Sequence, residues 1–139
     1  MARPKKTGLG YFPLDVDFFD DDKIQLVEAK FGIKGSVVAM RLLCKVYKNG
    51  YFYKFGEDEC LLLGKQIGDG MTAETVSEIV AELVRREFFD GGVYEKYGIL
   101  TSRGIQRRYV EIVNRNRSSL EVNGEIWLLD GYTRSKTLC

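Results

Sequence analysis

The sequence contains no histidine. That removes the commonest general base at neutral pH, the commonest transition-metal ligand and every Ser-His or Cys-His nucleophile. Carboxylate and metal-ion chemistry remain open, but an enzyme is not expected. Cysteine is scarce: Cys44, Cys60 and Cys139 are odd in number, widely spaced and outside any Cys-x-x-Cys pair. They indicate neither a disulfide framework nor a zinc site. Cys44 and Cys60 fall in apolar helical stretches, where a thiol is expected to behave as a small hydrophobe. Only two prolines are present, and no apolar run approaches the roughly 20 residues that span a bilayer. The start, Met-Ala-Arg-Pro-Lys-Lys, is positively charged but has no apolar stretch after it, so it does not read as a signal peptide. A cytoplasmic protein with no cofactor and no membrane association is expected.

What the chain does have is the composition of an ordinary globular domain. Its 139 residues are 45% hydrophobic and 29% charged, enough for one sizeable core and too few to promise two. Lys and Arg number 21 against 20 Asp and Glu. With a net charge of +1, any attraction for a polyanion must come from the distribution of charge.

Residues 1–10 read as a flexible basic arm, with Arg3, Lys5 and Lys6 and no acid; Pro4 and Gly8 discourage a helix. Val16 and Phe18 alternate with Asp15 and Asp17, which suits an extended segment with one buried face. Asp20, Asp21 and Asp22 precede a first helix carrying Ile24, Val27 and Phe31, which ends near Gly32. Ser36 is placed to cap a second helix running to about Lys48, apolar on most sides and therefore the centre of the core. Tyr51-Phe52-Tyr53 reads as a short strand, and Cys60 to Ile67 as a third helix behind Glu57-Asp58-Glu59. Thr72 opens the clearest helix, with Val76, Ile79, Val80, Leu83 and Val84 on one face. Residues 93–97 fit either a strand or one helical turn. Ile99-Leu100 is a good short strand, and a last helix runs from Ser102 to about Arg117. Residues 118–139, built around Asn123-Gly124, look hairpin-like.

The order points to a mainly α (α+β) fold: a winged helix-turn-helix over residues 11–117. The turn from Gly68 to Met71 joins the third and fourth helices, and strands near Phe88 and Ile99 would pair as the wing. Three separated segments also resemble a known family. Residues 11–24 (Tyr-Phe-Pro-Leu-Asp-Val-Asp-Phe-Phe-Asp-Asp-Asp-Lys-Ile), 31–35 (Phe-Gly-Ile-Lys-Gly) and 98–106 (Gly-Ile-Leu-Thr-Ser-Arg-Gly-Ile-Gln) are similar to the Lin-type N-terminal domain of phage and prophage proteins related to DnaD-like replication initiators. The resemblance covers roughly residues 3–130. It implies a winged helix used in DNA replication initiation or its regulation on a mobile element. It transfers no catalytic or contact residue, because the family's functional residues are not well defined. Longer members of that family carry a second, C-terminal domain, so this chain would be a fragment or a stand-alone binding module.

Within that frame, the arm and the last helix are the expected DNA contacts. Arg103, Arg107, Arg108, Arg115 and Arg117 face only Glu111 as an offsetting charge, and guanidinium forks suit phosphate. Arg85 and Arg86 at the end of the fourth helix would add to them. Binding is expected to be weak, salt-sensitive and sequence-independent, on duplex or single-stranded DNA. The fourth helix, where a sequence reader would sit, turns Glu74, Glu78 and Glu82 outward, which repels phosphate. With Trp127, that face is instead a candidate protein interface, for a helicase, a loader or a second copy. A small transcriptional regulator is the remaining alternative, and the same glutamates argue against it. The aspartates of residues 15–22 are explained by helix capping rather than by a metal-dependent nuclease site.

Overall fold

The structure is a computed structural model that describes residues 8–115 and 124–129. Six helices and one small antiparallel ribbon make up the described residues: α1 (Asp22–Phe31), α2 (Ile33–Lys48), β1 (Tyr53–Lys54), α3 (Glu57–Ile67), α4 (Ala73–Arg85), α5 (Gly91–Tyr97), β2 (Ile99–Leu100) and α6 (Arg103–Arg115). The fold is mainly helical, as the periodicity implied. None of these helices is long and apolar enough to cross a membrane.

The leading segment departs from expectation. Val16 is fully exposed, and Phe18 reaches the core from a single 3-10 turn, Phe18–Asp20, rather than from an extended strand. The Asp15 and Asp17 carbonyls accept the amides of Phe18 (3.0 Å) and Asp20 (2.9 Å), which fixes that turn. Asp21 then caps α1, its carboxylate accepting from the Lys23 amide at 2.8 Å. Gly32, at φ +74°, closes α1 and opens α2 at once. Only glycine enters that backbone region freely, so α2 starts at Ile33 and Ser36 is not its cap. Ser36 lies buried in the first turn and donates to the Ile33 carbonyl.

α2 is the centre of the core. Val38, Ala39, Leu42, Leu43, Val46 and Tyr47 are buried, and the helix packs on α1 and α4. Its burial is less complete than its composition suggests. Cys44 is exposed, so only Cys60 behaves as the small hydrophobe expected of both.

α3 begins at Glu57, before the expected Cys60, because the Glu59 carboxylate accepts the Gly56 amide at 2.8 Å and the acids of the first turn complement the helix dipole. It ends at Gly68 (φ +68°), and a short turn leads to α4. Thr72 caps α4 as expected: its hydroxyl accepts the Thr75 amide at 3.1 Å. Thr72→Ala should cost about 1 kcal/mol, measurable by urea titration, because that amide loses its partner.

The expected wing is not formed by Phe88 and Ile99. β2 pairs antiparallel with β1, Tyr53 opposite Leu100 and Lys54 opposite Ile99. Phe88 and Phe89 follow α4 in a turn, where the fully buried Phe89 packs edge-on against Phe88 (5.0 Å between centroids). The stretch that fitted strand or helix is the helix α5. Asp90 caps it by accepting from the Val93 amide at 2.9 Å, and Gly98 ends it.

Of the hairpin-like tail, only residues 124–129 are described. They form a turn and an irregular segment without a strand. That segment is pinned to α6 through Gln106, which is fully buried. The Gln106 amide nitrogen donates to the Ile126 carbonyl (2.9 Å) and the Thr101 hydroxyl (3.1 Å), and its oxygen accepts from the Leu128 amide (2.7 Å). Thr101 in turn donates to the Tyr51 carbonyl at 2.6 Å. Buried polar atoms are tolerated here because each finds a partner.

Candidate interaction surface

The arginines foreseen as one DNA-facing set are divided by the fold. Arg3, Lys5, Lys6 and Arg117 lie outside the described residues. Arg85 and Arg86 are held by Glu82, which sits one turn before them on α4. Its carboxylate accepts from Arg85 at 2.9 Å, from Arg86 at 2.7 Å and from Lys30 of α1 at 3.2 Å. Glu82 is therefore not part of an outward acidic face, as its position had suggested; it is 4% exposed. Hydrogen bonds from Arg85 and then Arg86 lower its pKa to about 2, against a smaller upward pull from burial. Glu74 and Glu78 do face solvent.

On α6, Arg108 turns inward rather than joining a stripe with Arg115. It forms an ion pair with Asp15 of the leading segment and lies beside the Tyr47 hydroxyl. Burial opposes its charge, but Tyr47 and Asp15 together outweigh that and keep its pKa above the ordinary value. Burial in turn raises the Tyr47 pKa. Arg103 is exposed yet donates to the Leu128 carbonyl. Arg107 and Arg115 are exposed and make no ion pair among the described residues. Of the nine described positions expected to contact DNA or to offer an acidic edge to a partner, Glu82 and Arg108 are thus engaged within the fold, and Arg85 and Arg86 are tied to Glu82.

Trp127 is not a free docking residue either. It is half-buried, and its ring packs edge-on against Tyr51 with centroids 5.1 Å apart.

An open groove of about 880 Å³ lies between the leading segment, the end of α4 and the first turns of α6. Phe12, Leu14, Phe18, Ile24, Phe88 and Ile105 supply its apolar lining. Arg85, Arg103, Arg107 and Arg108 do converge here, joined by Lys23. Six carboxylates share the same walls: Asp15, Asp17, Asp20, Asp21, Glu87 and Asp90. Composition did not reveal this meeting of charges, because Asp15 and Arg108 are 93 positions apart. Among the described residues no three acidic or cysteine side chains converge as metal ligands. Asp15 is engaged by Arg108 and Asp21 by the start of α1.

The groove thus presents both signs of charge beside apolar side chains.

Comparison with known proteins supplies the kinship. An uncharacterized phage-related protein, Lin1244/Lin1753 of Listeria innocua, is 38% identical over 130 residues, which is 94% of this chain. The chain spans 42% of that relative's length. No solved structure matches. Residues 11–105, from the leading segment to the third residue of α6, match the family described as Lin1244/Lin1753-like, N-terminal. The chain belongs to that family of phage-related N-terminal domains.

Proposed function

We propose that this domain is a protein-docking module of a phage-type replication initiation complex, built on a winged helix-turn-helix core and not itself the main DNA reader. α3, the short turn and α4 are read as the helix-turn-helix. The β1–β2 ribbon is read as the sheet of the winged fold, with Phe88, where the other wing strand was expected, in the turn after α4. The observation that carries the docking reading is the groove, which brings basic, acidic and apolar side chains together in one opening. A partner segment with both apolar and charged side chains satisfies such a surface, whereas phosphate meets six carboxylates there. The replication setting rests on the family resemblance and on the phage-related description of the Listeria protein.

A nucleic acid role is the second reading. It is favoured by the exposure of Arg103, Arg107 and Arg115 along α6 and by the basic residues of the arm. Fluorescence anisotropy on duplex and single-stranded DNA across a salt series separates the two. Under the docking reading, Arg107→Glu/Arg115→Glu changes a weak affinity by less than about threefold. A loss of tenfold or more on all sequences, with a flatter salt slope, would hand the main role to DNA.

A further inference from the structure

α3 buries Cys60, Leu63 and Gly64 against the rest of the protein and contributes nothing to the groove. Its outer face is unusual for a solvated helix. Leu61 and Leu62 stand 63% and 58% exposed, with Asp58 exposed one turn before them and Lys65 exposed one turn after. Positions 58, 61, 62 and 65 follow the i, i+3, i+4, i+7 spacing of a single helical face.

This face is complementary to itself. When two copies of α3 lie antiparallel about the point between Leu61 and Leu62, residue 58 of one falls opposite residue 65 of the other. Asp58 then meets Lys65 at both ends, and the four leucines cover one another in the middle. A two-fold axis requires this reciprocity of one patch with itself. We infer that α3 is a homodimerisation face, with a second copy of this chain as its occupant.

Two leucines and one ion pair per side cover much less than the roughly 800 Å² per partner of a stable interface. The dimer is accordingly weak, with a dissociation constant on the order of 0.1 mM. Within a complex that gathers several copies, such an affinity suffices.

Sedimentation of the full chain across a concentration series tests the inference. The wild type should pass from monomer to dimer. Asp58→Lys and Lys65→Asp should each weaken dimerisation about tenfold, because the two-fold axis presents each like-charge clash twice. Asp58→Lys/Lys65→Asp should restore it to within about threefold. Leu62→Gln should abolish it, with circular dichroism and thermal melting verifying that each variant stays folded. A chain that remains monomeric to about 1 mM would leave the face to a helix of another protein and overturn self-pairing. So would single charge variants that dimerise like wild type, or a double variant that does not recover. None of these outcomes depends on what occupies the groove.

Discussion

Gln106→Leu should lower the free energy of unfolding by about 3 kcal/mol and shift the fluorescence of Trp127 to the red. The side chain is fully buried and ties α6 to two other pieces of chain: Thr101 just after β2, and the segment holding Ile126 and Leu128. Leucine fills a similar volume but offers neither donor nor acceptor. The Ile126 carbonyl and the Leu128 amide then lose their partners, at roughly 1–3 kcal/mol for each group that stays buried. The chain relieves that penalty by releasing residues 124–129 to water, which in turn uncovers Ile126 and the Tyr51–Trp127 contact. The sequence holds a single tryptophan, so its emission reports this release without interference. The melting temperature should fall by roughly 10 °C. An unshifted spectrum with wild-type stability would mean that Gln106 does not anchor the segment.

Glu82→Gln should cost about 2 kcal/mol, and its effect should disappear in acid. One carboxylate here satisfies three cations, and removing its charge leaves Lys30, Arg85 and Arg86 facing each other. The cost stays below that of a deeply buried pair because Lys30 and Arg85 are themselves more than half exposed. Its pKa is lowered in the folded chain to about 2 from 4.5. The folded state therefore prefers the ionised form, and the stabilisation is complete above about pH 4.5. It is lost as the pH falls from about 4.5 towards 2, because the unfolded chain takes up the proton first. Urea titrations of wild type and variant should differ by a constant amount near neutral pH and converge across that acid window. A gap that persists at pH 2 would remove Glu82 from the role.

The helices were legible where a local pattern carries the information. Thr72 and the spacing of Val76, Ile79, Val80 and Leu83 fixed α4 because capping and amphipathicity act within one or two turns. The ribbon was half legible: short strands around Tyr51–Tyr53 and at Ile99–Leu100 were both recognisable, but not that they pair. Two-residue strands have too little pattern to name the chain they pair with, and Tyr53–Lys54 lies far away in sequence. Val16 misled because alternation over four residues also fits a 3-10 turn. The arginines were read as one set because net charge is visible in a sequence while pairing is not. Glu82 did leave a local trace, since Arg85 and Arg86 follow at i+3 and i+4 and reach back along the same helix. Asp15 with Arg108 left none.

The clasp between β1 and β2 also bears on how the chain acquires its shape. Two residue pairs fasten the ends of the 44-residue excursion, residues 55–98, that holds α3, α4 and α5. Drawing ends so distant together costs about 3 kcal/mol of chain entropy, more than two ladder pairs return by themselves. The ribbon therefore depends on the packing of α4 against α1 and α2 to hold its ends together, with the Tyr51, Thr101 and Gln106 hydrogen bonds as a latch beside it.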